Sequence, residues 1–190
     1  KAKLRIDVNG NWNVATAITN LNSIYENIGE IEYVEQPCAT IEELRELKEK
    51  LSVDIPIAGD EVLRKAADPF AVNLEGAVDI LALKVQPLGG IARARQLADH
   101  HKLPVVVSSA LESAVGINYG LQLAASFADL NFDCGLCTGS LLSANVAQLP
   151  IVNGEIEIRD FEPDFGALEV APDRYEWWKN RVMKTWELIA

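Results

Sequence analysis

The chain has 190 residues, of which 49% are hydrophobic and 24% are charged, a composition typical of one globular domain. Its formal net charge of −11 argues against binding to a nucleic-acid backbone or to an anionic membrane surface, since both need clustered Lys and Arg. No apolar run is long enough to span a membrane, and three cysteines are too few for a disulfide framework. We therefore expect a cytoplasmic protein that binds neither nucleic acid nor a membrane.

Short apolar runs recur along the chain, and nearly all of them end in a polar residue. The polar ends of the first five runs are separated by 28, 25, 24 and 24 residues. A strand, a loop, a helix of three turns and a second loop need about this length. The runs are residues 4–7, 31–35, 55–60, 80–84, 103–108 and, more weakly, 132–135, and the five polar ends are Asp7, Glu35, Asp60, Lys84 and Ser108.

Helical patterns fill the intervals between these runs. Apolar residues within 14–28 keep a period of three to four, which predicts an amphipathic helix. Thr40 and Glu43 have the spacing of a capping box at the start of a second helix. Asp68-Pro69 supplies the N-cap and first position of a third, and a fourth should begin after Gly89-Gly90.

The repeating period ends after Leu142. Residues 151–158 predict a hairpin around Asn153-Gly154, and residues 175–188 predict a Trp-rich terminal helix. We therefore divide the chain into a strand-and-helix portion, 1–148, and a C-terminal portion, 149–190. The second portion is expected to pack back on the first or on a further domain.

Alternating strands and helices predict an α/β fold with a parallel sheet. A doubly wound open sheet is one solution, and it normally binds its ligand at a single switch point. A polar residue at each of several strand ends instead favours a TIM-like barrel, whose site is built from many strands at one face. A barrel needs eight strands and only six candidates are visible, so we expect an incomplete barrel.

Three successive predicted strands end in the carboxylates Asp7, Glu35 and Asp60. Neighbouring strands lie about 4.8 Å apart, so these oxygens could reach one ion. An all-oxygen ligand set suits a hard cation such as Mg²⁺, with Mn²⁺ also possible. Solvated loop carboxylates are the alternative interpretation.

Other polar residues lie beside these candidate ligands. We expect Asn9 and Glu61 to support the ligands without binding the ion themselves. Glu32 and Glu112 are further nearby carboxylates, expected to be exposed or to play the same supporting role.

Lys84 ends the fourth run, where a lysine is rarely buried without a partner. Its ammonium could stabilise a developing enolate, or its neutral amine could move a proton; a structural lysine with a buried stem is the alternative. Ser108 and Ser109 have no nearby His and are better suited to donate to a bound carboxylate than to act as nucleophiles. Gly135 permits close approach by a ligand, or serves as a turn glycine.

Cys134 and Cys137 form a single C-x-x-C pair. A structural zinc site needs four ligands, and the only histidines of the sequence, His100 and His101, are adjacent to each other. We therefore interpret both cysteines as buried thiols.

Several sequence motifs resemble the enolase superfamily and, within it, the o-succinylbenzoate synthase family of the actinobacterial type. They are D-V-N-G-N-W at 7–12, Y-V-E-Q-P-C at 33–38, I-A-G-D-E at 57–61, L-K-V-Q-P-L-G-G at 83–90, S-S-A-L-E-S at 108–113 and C-G-L at 134–136. The resemblance therefore extends, in the correct order, from residue 7 to residue 136.

This resemblance implies a (β/α)₇β barrel in which Asp7, Glu35 and Asp60 bind Mg²⁺ from the third, fourth and fifth strands. It implies a dehydratase (a carbon–oxygen lyase) that converts 2-succinyl-6-hydroxy-2,4-cyclohexadiene-1-carboxylate to o-succinylbenzoate in menaquinone biosynthesis. One lysine removes the α-proton, and Lys84, on the sixth strand, would stabilise the enolate before water leaves. Ser108 or Ser109 and the backbone at Gly135 would contact the succinyl tail of this carboxylate substrate.

The chain departs from the family pattern at its start. The family barrel begins two strands earlier, behind an N-terminal capping domain, and its base lies in a K-x-K motif on the second strand. Lys1-Ala2-Lys3 imitates that motif, but Lys3 is four residues before Asp7, roughly 13 Å along an extended chain and toward the wrong barrel end. We therefore expect the base, the first two barrel strands and the capping domain to be absent from this chain.

Two other functions stay open at this point. An N-acylamino-acid racemase or dipeptide epimerase would share the scaffold, the metal site and both lysines. A metal-binding barrel fragment without catalytic activity would lack only the base. The sequence does not separate these, and it does not define the oligomeric state.

Overall fold

The computed structural model describes residues 3–189 and contains one sheet of five parallel strands. Strand order in the sheet follows the chain, because each strand is joined to its neighbour through helical segments on the same side. The sheet is curled like half of a barrel. The strands are β1 Arg5–Asp7, β2 Tyr33–Glu35, β3 Ile57–Gly59, β4 Ile80–Leu83 and β5 Val105–Val107.

The predicted sixth strand is reduced to a single parallel bridge between Ser108 and Gly135. The Gly135 N–H donates to the carbonyl of Val107 at 2.8 Å, and the Ser109 N–H donates to the carbonyl of Gly135 at 3.0 Å. Residues near Gly135 therefore continue the parallel pairing beyond β5, although they form no regular strand.

Three predicted helices are confirmed. Asn13 caps the first by accepting from the Thr16 N–H, and the capping box of Thr40 and Glu43 starts the second. The fourth predicted helix begins after Gly90. The helices are α1 Val14–Ile28, α2 Ile41–Lys50, α3 Glu61–Arg64, α4 Val85–Leu88, α5 Ile91–His101 and α6 Ala114–Ala125.

The predicted third helix was wrong in length. Asp68 does cap a helical segment, but this is only the 3₁₀ turn Pro69–Ala71. The Asn73 side chain accepts the Glu75 N–H, and Gly76 adopts a φ of 68°. Both features favour turns, so the local chemistry ends the helix after one turn.

Buried residues form two clusters on opposite faces of the sheet. The larger cluster combines helix residues such as Leu21, Leu47 and Leu97 with strand residues such as Leu81 and Val107. The smaller cluster contains strand residues only, packed with Phe132: Tyr33, Ala58, Ile80, Ala82 and Val106. The described helices thus bury their apolar sides against one face of the sheet, which excludes the doubly wound alternative.

The C-terminal portion contains the predicted hairpin and helix. β6 Ile151–Val152 and β7 Glu155–Ile156 pair antiparallel around Asn153-Gly154, both of which have positive φ. α7 spans Pro172–Ile189, and none of its described residues is buried. Along the described part of the chain, no helix combines the length and hydropathy needed to cross a bilayer.

The thiols differ from expectation. Cys137 is exposed and Cys134 only partly buried, whereas Cys38 is buried; all three are free. Cys137 directly precedes the 3₁₀ segment Thr138–Leu141 and does not belong to the larger buried cluster.

Candidate active site

The polar residues predicted at the strand ends lie along one edge of the sheet. Asp7 and Glu35 end β1 and β2 and are direct register partners. Asp60 and Lys84 directly follow β3 and β4. Glu35, Asp60 and Lys84 each lie two residues after a member of the smaller cluster, and Asp7 is the register partner of Glu35. These side chains therefore project from the face of the sheet that carries no helices. Ser108 follows β5 at the same edge.

Lys84 links two of the carboxylates. Its Nζ lies 2.5 Å from Asp60 Oδ2 and 3.4 Å from Glu35 Oε1, and all three residues are buried. Burial lowers the pKa of Lys84, but the hydrogen bond and charge of Asp60, together with Glu35, outweigh that effect and raise it. The side chain is therefore held as an ammonium at neutral pH.

For Glu35, the effect of burial on the pKa exceeds the effect of the opposite charge. Burial first, and then the negative charge of Asp7, raise the pKa of Glu35 to about 7, although Lys84 partly opposes the shift. Burial and the neighbouring carboxylate thus disfavour the ionised form of Glu35, whereas a bound cation would favour it.

Asp7 does not join a closed ligand cluster. It is exposed, and its Oδ1 accepts the Asn9 N–H at 3.0 Å. Within residues 3–189, no three His, Cys, Asp or Glu side chains are gathered so that they could hold an ion. The expected convergence is therefore incomplete, because like charges repel and because Lys84 and Arg64 hold the Asp60 carboxylate.

The donor set nevertheless fits a hard divalent cation. Asp7, Glu35 and Asp60 supply only oxygen, they come from three adjacent strand ends, and two are in register.

The polar residues after β5 do not have equal roles. Ser109 is buried, and its Oγ donates to the carbonyl of Gly135 at 2.9 Å while lying 2.8 Å from Thr138 Oγ1. Its hydroxyl therefore ties two loops together. Ser108 Oγ makes no such bond to the described residues and would lie 3.1 Å from a Cβ added at Gly135. Ser108 is thus the better placed of the two to meet a ligand.

Gln36 is a residue whose role the sequence analysis missed. It is fully buried at a φ of 40°, and its Oε1 accepts the N–H groups of Asp60 and Val62 at 3.1 and 3.2 Å. Its Nε2 donates to the carbonyl of Cys38. Gln36 therefore fixes the backbone that carries Asp60. The only sequence signal was a polar amide directly after a strand-ending carboxylate.

The supporting carboxylates also have defined surroundings. Glu61 is buried; its Oε1 pairs with Arg64, and its Oε2 has no hydrogen-bond partner among the described residues. Glu112 is half-buried, and burial raises its pKa, although the Ala110 backbone and Lys84 oppose this. Nothing in the sequence pattern distinguished Glu112 from a surface carboxylate. Asn9, at a φ of 53°, forms the turn after Asp7.

Lys3 lies away from this edge. It precedes β1, whereas Asp7 ends that strand, and its Nζ pairs with Glu32 Oε1 at 2.8 Å. Glu32 also binds Arg5, so this carboxylate is used in ion pairs at the opposite strand ends. Lys1 of the K-x-K imitation lies outside the described residues.

One cavity of about 350 Å³ lies between the start of α6, the 3₁₀ segment and the hairpin. No Asp, Glu, Lys, Arg or His lines it. We therefore place the chemistry at the charged strand ends and not in this cavity.

The enolase C-terminal domain-like family model matches residues 1–166. This covers the parallel sheet, its helices and all of the strand-end residues. The chain belongs to that family.

Two relatives within this enolase-like family are named o-succinylbenzoate synthase. The protein from Mycobacterium tuberculosis (strain H37Rv) is 45% identical over 98% of this chain and 58% of its own length. The protein from Mycobacterium ulcerans (strain Agy99) is 44% identical over 98% of this chain and 57% of its own length. The chain thus spans less than two thirds of these relatives.

A solved enolase-like structure shares the architecture. The N-succinyl Arg/Lys racemase from Bacillus cereus aligns with a TM-score of 0.71 and 26% identity, over 92% of this chain and 47% of the racemase. The similarity covers most of this chain but leaves more than half of the racemase unmatched.

Proposed function

We propose that this chain carries the metal-binding and enolate-stabilising half of an o-succinylbenzoate synthase. The reaction is loss of water from 2-succinyl-6-hydroxy-2,4-cyclohexadiene-1-carboxylate in menaquinone biosynthesis, in the cytoplasm. The observation that carries the proposal is the buried Lys84–Asp60–Glu35 cluster, present in a chain 45% identical to enzymes of that name.

We also propose that the sheet is part of a complete barrel. The five strands and the Ser108–Gly135 pairing are strands three to eight of a (β/α)₇β barrel, with residues 1–148 as barrel and 149–190 as a C-terminal portion. The first two strands and a capping domain lie outside this chain. The 58% coverage of the M. tuberculosis relative supports this division, as does the position of β1 at the edge of the sheet formed by residues 3–189.

Asp7, Glu35 and Asp60 would hold a Mg²⁺ ion, with Mn²⁺ as an alternative. When bound, the ion would stabilise the negative charge that develops on the substrate carboxylate as the α-proton is removed. Burial of Glu35 and Asp60 excludes water from two of the ligands, which strengthens their interactions with charge.

Lys84 is the electrostatic stabiliser in this mechanism. Its Nζ lies between Asp60 and Glu35, whose carboxylates raise its pKa, so it is placed as an ammonium that can donate to an enolate oxygen. A separate base is needed, and Lys3 is excluded because it lies at the other end of β1. We propose that the part of the relatives that this chain does not match supplies this base.

Substrate positioning is assigned to the loops after β5 and the following segment. Ser108 donates to the succinyl carboxylate, and the absence of a side chain at Gly135 leaves room for the tail. Ser109 and Asn9 hold the loops, and Glu61 supports Asp60.

Replacing Lys84 with Ala tests the proposal. Loss of an electrostatic stabiliser should lower kcat by about 10²–10³-fold and leave Mg²⁺ affinity nearly unchanged. Asp60→Asn should instead raise the Mg²⁺ concentration needed for half-maximal rate. The assay measures steady-state rates against Mg²⁺ in this chain, alone and joined to the part of the M. tuberculosis relative that it does not match.

Lys50→Ala is the matched control, since Lys50 makes an exposed ion pair with Glu46. It should keep wild-type rates. Activity above about a tenth of wild type in Lys84→Ala would show that Lys84 is structural. Absence of activity in the completed protein, with Mg²⁺ binding intact, would support the non-catalytic metal-binding alternative.

N-acylamino-acid racemisation is the second candidate, favoured by the similarity to the N-succinyl Arg/Lys racemase. Both reactions use an enolate, so the same strand ends serve either. Comparing kcat/KM for the cyclohexadiene carboxylate and for an N-succinyl amino acid separates them.

A further inference from the structure

We propose that Arg64 is a positioning residue that fixes the Asp60 carboxylate for metal binding. This inference rests on the proposed function, because it assumes that Asp60 is a metal ligand. Arg64 itself binds neither ion nor substrate, and it acts through the carboxylates it holds.

The contacts of Arg64 reach two adjacent carboxylates. Its Nε lies 2.9 and 3.1 Å from Asp60 Oδ1 and Oδ2, and its Nη2 lies 2.6 Å from Glu61 Oε1. Arg64 ends α3, one turn after Asp60 and Glu61, so the short helix presents the guanidinium to both. Nε is shared by both Asp60 oxygens while Nη2 is anchored on Glu61, and this fixed planar arrangement restricts the Asp60 carboxylate more than a flexible ammonium can.

Other groups near Asp60 are committed elsewhere. Gln36 fixes its backbone N–H and not its side chain. Lys84 contacts one carboxylate oxygen, but the proposed chemistry requires Lys84 to turn toward an enolate. Asp60 makes no capping bond to its own helix. Arg64 is therefore the contact that can hold the Asp60 carboxylate throughout a catalytic cycle.

The charge of Arg64 and its hydrogen bonds to the carboxylates have opposite effects on cation binding at this site. The positive charge of Arg64 repels a cation, whereas its hydrogen bonds hold a ligand in place. Arg64→Lys retains the charge but cannot grip both carboxylates, so it isolates the positional effect. Arg64→Met removes both effects.

The test measures Mn²⁺ binding to this chain by the electron paramagnetic resonance signal of free Mn²⁺. Arg64→Lys should weaken binding by about 10–100-fold, the usual loss when a group that orients a metal ligand is changed. Lys50→Met, which breaks an exposed i,i+4 pair with Glu46, should bind Mn²⁺ like wild type. Thermal melting of each variant identifies any that fails to fold. If Arg64→Met does not fold, Arg64→Lys alone still tests the inference.

In the completed, active protein, Arg64→Lys should raise the Mn²⁺ concentration for half-maximal rate by a similar factor, with kcat at saturating Mn²⁺ within a few-fold of wild type.

Wild-type Mn²⁺ affinity in folded Arg64→Lys would overturn the inference and leave the proposed function standing. Tighter binding by Arg64→Met with unchanged Arg64→Lys would show that Arg64 acts only by charge. Absence of Mn²⁺ binding by wild type would instead overturn the metal site, and this inference with it.

Discussion

Glu35 and Lys84 lie within one ion-pair cluster but respond differently to burial. For Lys84, favourable contacts with Asp60 and Glu35 exceed the cost of burial, and its pKa rises. For Glu35, burial and the nearby charge of Asp7 exceed the help from Lys84, and its pKa also rises. Protonation is thus favoured at both residues, which keeps the lysine charged and makes the glutamate costly to ionise.

Glu35 should make stability fall with rising pH. Its pKa is raised from 4.5 to about 7 in the folded state. Its contribution to the free energy of unfolding is therefore fully present below about pH 4.5 and is lost as the pH rises through about 7. Between these values wild type should lose up to about 3 kcal/mol relative to Glu35→Gln. Urea unfolding of both proteins from pH 4 to pH 8, without added metal, measures this difference. Parallel pH profiles would contradict the raised pKa.

At the scale of single elements, helix α2 shows how local chemistry sets a boundary. The Thr40 Oγ1 accepts the Glu43 N–H, and the Glu43 carboxylate accepts the Thr40 N–H. Acidic residues follow in the first turn and basic residues lie in the last, both favourable to the helix dipole. This helix begins where the sequence alone predicted.

Thr40→Ala should destabilise the protein by about 1 kcal/mol, because it leaves a helix N–H without its acceptor. The melting temperature should fall by about 2–4 °C. Thr16→Ala is the matched control: Thr16 is exposed in the first turn of α1, and only its backbone N–H is capped. That variant should melt within about 1 °C of wild type, and an equal loss in both would deny the capping box a specific role.

At the scale of the whole molecule, α7 contrasts with the other long helices. It carries large apolar side chains, yet none of its described residues is buried. An exposed apolar helix of this kind normally marks a surface covered by another element. The exposed apolar residues are Tyr175, Trp177, Trp178, Val182, Met183, Trp186, Leu188 and Ile189.

Tryptophan fluorescence tests where α7 packs. Trp12→Phe leaves Trp177, Trp178 and Trp186, all in α7. In this chain alone they should emit as solvated indoles, be readily quenched by acrylamide and change little on unfolding in urea. When the chain is joined to the unmatched part of the M. tuberculosis relative, the emission of these tryptophans should shift to shorter wavelength. A blue-shifted, concentration-dependent signal from the chain alone would instead indicate pairing of two copies.

Sequence alone determined the features that depend on neighbours along the chain. The strand period placed Asp7, Glu35, Asp60 and Lys84 at successive strand ends. The apolar period located α1, and turn and capping residues located α2, α5 and the hairpin. These follow from side-chain alternation and local hydrogen bonds, which act within a few residues.

Tertiary structure decided what depends on groups far apart in sequence. The contacts of Gln36 with Asp60 and of Lys84 with Glu35 cross 24 and 49 residues, and no local pattern encodes them. Burial, which raises the pKa of Glu35 and distinguishes Glu112 from surface carboxylates, exists only once the sheet and helices have packed. The same packing left Cys137 exposed, because solvent access is set by the surrounding layers and not by residue type.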